Sequence, residues 1–317
     1  MRFLRHVSAV PESLRGGAVA IGNFDGVHRG HQVVIRQLLE QAGRRVITPL
    51  VMVFEPQPQE FFRPQQVTPR LTNLREKVEA LRHHGVTNLL CLRFDQALAE
   101  TEAEEFVQRV LARALAARLI IVGDDFRFGH GRRGDFQLLQ TLGKRHGFEV
   151  AAMDTVTGHG GRVSSSRIRE LLSAGEVAAA ADLLGRPYSI TGRVIPGCRR
   201  GRELGFPTAN IDVHDRKPPV RGIHAVQVDG LGPNLINGVA SIGTRPVFAG
   251  ERLLLEVFLF DFNADIYARR INVQFRKFLR PEQNFNSVAA LCVQMALDVE
   301  QARAVLAAGK SGEQTIP

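Results

Sequence analysis

The chain reads Gly22-Asn23-Phe24-Asp25-Gly26-Val27-His28-Arg29-Gly30-His31-Gln32 between the apolar run Ala18–Ile21 and a segment whose apolar residues recur at helical spacing. This order predicts a buried strand, a glycine-rich loop and a helix that ends with a cap at Gly43. Glycines let a backbone approach an anion closely, and a helix N-terminus offers unpaired N–H groups and a positive dipole end. The stretch therefore predicts a phosphate-binding turn.

The same alternation of strand and helix continues to about Leu184. Further strands are predicted over Leu50–Phe54, Leu89–Phe94, Leu119–Val122 and Glu149–Met153. Helices are predicted over Leu74–His83 and after Thr101, which forms a capping-box pattern with Glu104. Strands that alternate with helices favour a doubly wound parallel α/β sheet. Ligands bind such sheets beyond the carboxyl ends of the strands, so we expect the chemistry in the loops after Ile21, Phe54 and Val122.

After Pro187 the pattern changes to short apolar runs separated by Gly, Pro, Asn and Asp. The predicted strands of this half are Tyr188–Val194, Ile223–Val228, Ile236–Ile242, Leu253–Phe260 and Ile271–Phe275. This pattern is typical of an antiparallel β-barrel. One long helix, over Ser287–Ala307, is predicted to close the fold. We thus expect an α/β domain over residues 1–185, a β-barrel domain over 186–310 and a flexible tail over 311–317.

Length and composition agree with this division. The 317 residues suffice for two domains, because one domain usually takes roughly 100–200 residues. A hydrophobic content of 44% with 23% charged residues excludes wholesale disorder. No apolar run approaches the roughly 18 residues of a membrane span, and the first 13 residues lack the apolar stretch of a signal peptide. The sequence therefore predicts a cytoplasmic protein without a membrane partner.

Charge and cysteine content narrow the function classes. The three cysteines, Cys91, Cys198 and Cys292, lie far apart, which argues against a disulfide framework or a thiolate zinc site. The net charge of +9 suits nucleic acids or phosphorylated small molecules, although dispersed cations are equally typical of a basic solvated surface. Binding of single-stranded nucleic acid would need clustered cations between exposed aromatic residues, and most Phe residues lie in apolar runs. We expect no nucleic-acid partner.

His28 and His31 are candidate catalytic residues of the first loop. They are three residues apart at a helix start, so both side chains can face one phosphate and stabilise its developing charge. The alternative is a pair of helix-capping or solvent-exposed histidines. Two more loops support a nucleotide site: Gly123–Gly129 after the fourth strand, and Ser164–Arg169, which leads into a short helix with hydroxyls and arginines. Taken alone, the second of these loops is more typical of an ordinary N-cap with solvated arginines.

A second glycine- and arginine-rich loop, Gly192–Asn210, opens the barrel half. It is not a Walker A motif, because no Gly-Lys-Ser/Thr follows, but its backbone could wrap a polyphosphate. Thr208 and Asn210 are two apart, so on a strand they share a face, and their oxygens suit Mg²⁺ that bridges phosphates. The alternative is a turn followed by a polar edge strand, which explains Pro207 equally well.

Glu256 interrupts the apolar run Leu253–Phe260. A carboxylate at such a position either faces outward, which is the commoner case, or has a function. Transfer of a phosphoryl group to an alcohol requires removal of the hydroxyl proton, and a carboxylate base can do this.

The motifs together resemble a known family. His28-Arg29-Gly30-His31 after a strand resembles the HxGH nucleotidylyltransferases, and with Gly123–Gly129 and Ser164–Arg169 the first half resembles the bacterial bifunctional riboflavin kinase/FMN adenylyltransferases, or FAD synthetases. The second half is similar to the riboflavin kinase part of that family. The similarity rests on Gly205–Asn210, Gly238–Pro246, Leu255-Glu256, Asp261-Phe262, Tyr267, Leu279–Glu282 and Phe285.

This resemblance implies two reactions, riboflavin + ATP → FMN + ADP and FMN + ATP → FAD + pyrophosphate, with Mg²⁺ as cofactor. It implies that Glu256 is the base of the first reaction, that His28 and His31 serve the second, and that Thr208 and Asn210 hold Mg²⁺. Implied nucleotide-binding residues of the first half are Gly22, Asn23, Phe24, Asp25, Gly30, Asp125, Ser164, Ser165, Ser166 and Arg169. Those of the second half are Gly192, Gly197, Gly201, Arg202, Gly205, Pro207, Thr208 and Asn210. Implied flavin-binding residues are Phe54, Pro56, Phe62, Phe128, Arg280 and Phe285.

Several positions depart from the usual family pattern. Ser166 stands for a common Thr, Gln57 for a frequent His and Ser241 for a frequent Asn, while Cys198-Arg199 replaces a more glycine-like stretch. None of these departures removes a residue that the chemistry requires. Alternatives are another HxGH enzyme, such as a pantetheine-phosphate or nicotinamide-mononucleotide adenylyltransferase, fused to an unrelated barrel, and a chain with one active and one decayed half.

Overall fold

A computed structural model describes residues 1–65, 68–153, 156–158, 161–197, 201, 204–213, 217–247 and 250–310. The chain divides into two compact units. The first comprises Met1–Thr68 and Thr72–Ser165, and the second comprises Pro69–Leu71 and the chain from Ser166 onward. The predicted tail, 311–317, lies outside the described residues.

The first unit is built on a six-stranded parallel sheet. Its strands are β1 (Arg2–Leu4), β2 (Ala18–Ile21), β3 (Pro49–Glu55), β4 (Asn88–Arg93), β5 (Leu119–Gly123) and β6 (Glu149–Met153). They lie in the order β1-β4-β3-β2-β5-β6, and every neighbouring pair is parallel. The predicted parallel α/β sheet is confirmed, with one edge strand, β1, in addition. A short hairpin, β7 (Thr157–Gly158) with β8 (Gly161–Arg162), follows the sheet.

Helices cover both faces of this sheet. They are α1 (Arg29–Arg45), α2 (Pro58–Phe62), α3 (Leu74–His83), α4 (Gln96–Glu100), α5 (Ala103–Phe106) with its π-helical continuation Val107–Ala114, and α6 (Phe136–His146). One apolar cluster joins the sheet to α1 and α3, and the other joins it to α5 and α6. The strands are therefore buried on both faces, which explains their continuous apolar runs.

The strand order sets the position of the ligand-binding edge. From β2 the chain proceeds to β3 and β4 on one side, and then returns to place β5 on the other side of β2. Such a reversal leaves a crevice between the loops that follow the two strands. The loop after β2 contains His28, and the loop after β5 is Gly123–Gly129, so both motifs lie at this crevice.

The second unit begins with α7 (Ser165–Ser173), whose first residue is counted with the first unit, and α8 (Val177–Leu184). Its strands are β9 (Ser189–Ile195), β10 (Thr208–Asp212), β11 (Gly222–Asp229), β12 (Ile236–Val247), β13 (Gly250–Leu259) and β14 (Arg270–Arg280). They form a closed antiparallel barrel in the order β10-β13-β12-β11-β14-β9, and β9 pairs with β10. The predicted barrel is confirmed.

Inside the barrel, alternate apolar residues from all six strands pack together. Ile211, Ala240, Leu255, Val257 and Val273 are all 0% exposed. The closing helix, α9 (Val288–Lys310), packs on the outer surface, where Ala302 and Leu306 join Phe260 of the segment after β13. Among the helices that the structure describes, none has the length and apolar character needed to cross a membrane.

Two local predictions were wrong. Helix α1 continues past Gly43 to Arg45, and the left-handed cap residue is Val46 with φ 54°. The hydroxyl of Thr101 donates to the Ala97 carbonyl at 2.7 Å, and α5 begins after Glu102 without a side-chain cap. At the end of α1, the Val46 N–H donates to the Ala42 and Gly43 carbonyls, so the helix ends through backbone bonds rather than at the glycine expected from spacing.

Candidate active sites

The loop after β2 is a strained turn, and His28 lies at its end, at the start of α1. Phe24, Gly26 and Val27 have φ of 48°, 82° and 44°, in the left-handed region that glycine alone adopts readily. Phe24 is 1% exposed and packs in the core, and its ring lies 3.2 Å from where a Cβ at Gly22 would stand. Such strain is often held at functional sites by the surrounding structure.

His28 and His31 are stacked on each other. Their ring centroids are 3.6 Å apart with 18° between the planes, and the His31 backbone N–H donates to His28 Nδ1 at 3.4 Å. His28 is therefore the N-cap of α1 as well as a candidate catalytic residue. Because Nδ1 accepts this bond, the neutral ring carries its proton on Nε2, which is then a donor. A Cβ at residue 30 would stand 3.1 Å from the His28 ring, so Gly30 gives the ring its space.

The environment of His31 keeps its side chain neutral. Burial lowers the pKa of His31 well below its usual value, and the neighbouring His28 and Lys77 lower it further. Among the described residues, His31 Nδ1 is buried and has no hydrogen-bond partner. A buried polar atom without a partner costs free energy unless a ligand meets it. The absence of a partner for His31 Nδ1 among the described residues therefore favours a polar ligand at the turn.

Two predicted nucleotide-binding residues make hydrogen bonds within the protein. Asp25 is 2% exposed, and its Oδ1 accepts from the Thr72 backbone N–H at 3.0 Å. Ser165, the first residue of α7, donates its hydroxyl to the Asp25 carbonyl at 3.0 Å. Both residues thus fasten the turn before His28 to other segments of the chain.

The other predicted polar residues of this half lie in more open positions. Asn23 and Ser164 are half-buried, whereas Asp125 and Ser166 are exposed. Asp125 pairs with Arg162 at 3.2 Å. In the second unit, Arg169 Nε donates to the Pro69 carbonyl at 2.6 Å, so this nitrogen serves the protein itself.

Aromatic side chains gather at the ends of β3 and β4. Phe94 lies edge-on to Phe54, Phe61 and Phe62, with centroids 6.1, 5.4 and 5.7 Å away. Phe62 is 58% exposed, and Pro56 is exposed beside it. The adjacent Gln57 is buried, and its Nε2 has no hydrogen-bond partner among the described residues. This group combines an accessible apolar surface with an unsatisfied donor, which is typical of a small-molecule site.

Phe128, in the loop after β5, is 8% exposed and belongs to the core cluster against which Phe54 packs. Its backbone pairs with Gly134, and its ring stacks on Phe126 at 5.4 Å and tilts toward Phe106 at 6.0 Å. Most of its surface therefore packs in the core.

On the barrel, the strand register brings Thr208, Asn210 and Glu256 together. Asn210 pairs with Glu256 across β10 and β13, and Glu256 pairs with Ser241 across β13 and β12. The residues on either side of Glu256, Leu255 and Val257, fill the barrel interior, so Glu256 lies on the outer face. Glu256 shares this outer face with Thr208 and Asn210, so its outward position is compatible with either a solvent-facing or a functional carboxylate.

Two glycines of the preceding loop, Gly197 and Gly201, lie against this face. A Cβ at Gly197 would collide with the Asn210 amide, and one at Gly201 would stand 3.1 Å from Thr208 Oγ1. Gly192 packs closely on Ile211, and Gly205 has φ 85°, just before Pro207. The loop backbone therefore approaches the Thr208 and Asn210 side chains as a phosphate cradle would require. Arg202, with Cys198 and Arg199, lies outside the described residues.

Arg280 has a structural partner. Its guanidinium forms a bidentate ion pair with Asp298 of α9. The Nε–Oδ1 distance is 2.8 Å and the Nη2–Oδ2 distance is 2.6 Å. The same guanidinium lies 5.9 Å from the centre of the half-buried Phe285 ring. Arg280 thus joins the end of β14 to the closing helix and to Phe285.

Comparison with known proteins shows the family of the chain. A family model described as FAD synthetase matches residues 10–167, and one described as riboflavin kinase matches residues 184–306. The bifunctional riboflavin kinase/FMN adenylyltransferase of Escherichia coli (strain K12) is 45% identical over 303 residues, covering 96% of each chain. The chain belongs to the bifunctional riboflavin kinase/FMN adenylyltransferase family.

Other relatives share this full-length similarity. The enzymes of the same name from Pseudomonas fluorescens and Haemophilus influenzae are 44% and 41% identical, and the matches cover 97% and 96% of this chain and 98% and 99% of theirs. The crystal structure of a macrolide-efflux protein from Streptococcus pneumoniae matches with a TM-score of 0.83 at 31% identity, over 95% of this chain and 98% of that one.

Within the FAD synthetase and riboflavin kinase regions, the structure adds residues that sequence reasoning missed. Phe61 and Phe94 complete the aromatic group, Thr72 binds Asp25, and Asp298 binds Arg280. Phe94 stands at the carboxyl end of a predicted strand, which was a usable signal. Thr72 and Asp298 gave no signal in the sequence, because their partners are distant in sequence or lie on another element.

Proposed function

We propose that the outer face of the barrel phosphorylates riboflavin and that the crevice at the β2–β5 reversal adenylylates the FMN so formed. The juxtaposition of Thr208, Asn210 and Glu256 by register is the observation that supports the first site most strongly. The first reaction needs a base, because its nucleophile is a neutral hydroxyl. The second needs none, because its nucleophile is an anionic phosphate. Glu256 in one unit and His28 with His31 in the other fit this difference.

In the kinase step, Glu256 takes the proton of the ribityl 5′-hydroxyl, and the oxygen attacks the γ-phosphorus of ATP as ADP leaves. Positioning and charge stabilisation supply most of the catalysis in phosphoryl transfer. The loop backbone at Gly192, Gly197, Gly201 and Gly205, with Arg202 and Pro207, binds the ATP phosphates. Arg280 and Phe285 hold the flavin from the side of α9.

Thr208 and Asn210 are the proposed protein ligands of Mg²⁺. The described residues contain no cluster of three or more His, Cys, Asp or Glu side chains arranged for a metal. Mg²⁺ is commonly held by one or two protein oxygens together with phosphates and water, so a hydroxyl beside an amide oxygen fits it. The ion would supply charge neutralisation on the ATP phosphates.

In the adenylyl step, an FMN phosphate oxygen attacks the α-phosphorus of ATP, and the bond to pyrophosphate breaks. The His28 Nε2–H and the neutral His31 donate hydrogen bonds to the phosphate oxygens, and the N-terminus of α1 adds its positive end. Gly22, Asn23, Gly30, Asp125 and Ser164 surround the nucleotide, while Phe54, Pro56, Phe62 and Phe128 receive the flavin ring. Ser166 and Arg169 stay proposed nucleotide-binding residues of the chain. Phe24, Asp25 and Ser165 shape this site from within the protein.

We further propose the boundary between the two catalytic domains at residues 185–186, the flexible tail at 311–317, and a location in the cytoplasm, where ATP is abundant. The family regions end at 167 and begin at 184, which is compatible with this boundary.

Separate inactivation of the two reactions tests the proposal. Glu256→Gln removes the base with little change of shape, and we expect it to slow FMN formation by about 100-fold or more while FMN still becomes FAD. The matched control is Glu300→Gln, an exposed carboxylate on α9. The double variant His28→Asn, His31→Gln retains a helix-capping side chain and should lose only FAD formation. A wild-type kinase rate in Glu256→Gln would exclude Glu256 as the base.

A further inference from the structure

Thr72 is a buried hydroxyl residue beneath the His28 turn. It is 4% exposed and immediately precedes α3. The start of α3 is fixed by a reciprocal capping box, in which Asn73 N–H donates to Glu76 Oε2 and Glu76 N–H donates to Asn73 Oδ1, both at 2.9 Å. The capping box therefore fixes the backbone next to Thr72.

Three hydrogen bonds join Thr72 to the turn. The Gly26 N–H donates to Thr72 Oγ1 at 3.0 Å, and Thr72 donates its own N–H and its hydroxyl to Asp25 Oδ1 at 3.0 and 3.2 Å. The Thr72 hydroxyl thus accepts from Gly26 and donates to Asp25, the residue before it. Only a hydroxyl can do both at one atom.

The turn that Thr72 holds is the strained one. It contains the left-handed Phe24 and Val27, and non-glycine residues keep this conformation only where the surrounding structure holds them in it. His28 follows directly. The Asp25 carbonyl also accepts from the hydroxyl of Ser165, which belongs to the first unit, so the turn has a second protein partner besides Thr72.

We propose that Thr72 is a positioning residue for adenylyl transfer, which acts through Asp25 and Gly26 to hold His28 and His31 in their catalytic orientation. The proposal rests on the proposed function of this site. Thr72 is buried and does not touch the substrate. Its hydroxyl fixes the geometry of the turn, and displacement of catalytic groups by about 1 Å can cost on the order of 100-fold in rate.

The test compares Thr72→Val, which lacks the hydroxyl, with Thr72→Ser, which keeps it. FMN adenylylation is measured for kcat and for KM of ATP and FMN, and riboflavin phosphorylation is measured on the same samples. Thr141→Val is the matched control, because it removes an exposed hydroxyl that donates to the Gln137 carbonyl on α6.

We expect Thr72→Val to lower kcat of adenylylation by about 10- to 100-fold with a smaller change in KM, while the kinase rate stays at the wild-type value. Thr72→Ser and Thr141→Val should stay within about threefold of wild type. A wild-type kcat in Thr72→Val, or equal losses in Thr72→Val and Thr72→Ser, would overturn the proposal. If the wild-type chain itself makes no FAD from FMN, the proposed function fails rather than the role of Thr72.

Discussion

His28 caps the helix that carries His31, and the two imidazole rings stack at 3.6 Å. Two positive rings at this distance would repel each other strongly, and the bond from His31 N–H requires an unprotonated His28 Nδ1. We therefore propose that the pair acts through neutral hydrogen-bond donors at a helix N-terminus. Arginine or lysine residues would instead bring positive charge to the phosphate.

The first prediction concerns the protonation of His31. Its pKa is lowered by burial, by His28 and by Lys77, so the ring stays neutral as the pH falls from 8 through 6.5 and gains its proton only in more acidic solution. We expect its ring resonance in an NMR titration to move with a midpoint below 6.5. FMN adenylylation should show no loss from His31 protonation between pH 8 and 6.5.

Lys77 provides a control for this prediction. It is 0% exposed on α3, and its charge is one of the causes that lower the pKa of His31. Lys77→Met should shift the His31 midpoint upward. A His31 midpoint at or above 6.5 in the wild-type chain would contradict the neutral pair.

The second prediction concerns Gln57, whose Nε2 is buried without a partner among the described residues. An unsatisfied buried donor costs about 1–3 kcal/mol, which a ligand acceptor can recover. Gln57→Leu should therefore leave the melting temperature of the ligand-free protein unchanged or higher, and raise KM for ATP or FMN in adenylylation by about tenfold. Gln59→Leu, at an exposed neighbouring position, is the control. An unchanged KM with a lower melting temperature would show that Gln57 serves the fold instead.

The third prediction concerns the buried pair of Arg280 and Asp298, whose side chains are 17% and 5% exposed. Removing one member of such a pair leaves a buried charge and costs about 3–5 kcal/mol. Asp298→Ala should lower the free energy of unfolding of the barrel by this amount and slow riboflavin phosphorylation, while FMN adenylylation continues.

Asp261→Ala gives the matched comparison. Asp261 pairs with Arg303 of the same helix, but these side chains are 78% and 49% exposed, and exposed pairs add little stability. Thermal unfolding of the two variants should therefore differ clearly. Equal melting temperatures would show that the Arg280–Asp298 pair does not hold α9.

The fourth prediction concerns His224, which is 0% exposed in the barrel between Phe275 and Phe278. Burial lowers its pKa to about 4. Above pH 6.5 the ring is neutral in both the folded and unfolded chains. As the pH falls from 6.5 toward 4, His224 gains a proton in the unfolded chain but stays neutral in the folded chain. The free energy of unfolding therefore falls by about 3 kcal/mol. His224→Phe should weaken this pH dependence of unfolding, and an unchanged dependence would contradict it.

Most of the fold was predictable because it depends on local periodicity. The buried strands β2 to β6 appear as apolar runs. The order of strand, loop and helix predicts the position of the ligand-binding crevice without any knowledge of contacts. Strand β1 was missed because three residues beside charged neighbours give no periodic signal. The end of α1 was missed because Val46 takes the left-handed conformation that sequence rules assign to glycine.

The chemistry of the two sites was predictable only in part. Spacing placed Thr208 and Asn210 on one face, but their meeting with Glu256 depends on strand register, which the sequence does not specify. Asp25 and Ser165 were expected to bind nucleotide, and the structure places their polar atoms against protein partners 47 and 140 residues away. Such long-range bonds have no sequence signature.

Complementation between two inactivated chains tests the central claim most directly. Glu256→Gln and the double variant His28→Asn, His31→Gln are each supplied with riboflavin, ATP and Mg²⁺, alone and mixed, and the flavins are separated by chromatography over time. We predict almost no FMN or FAD from the first variant, FMN alone from the second, and FMN followed by FAD from the mixture. FAD from the double variant alone, or no FAD from the mixture, would contradict the assignment of the two reactions to these two sites.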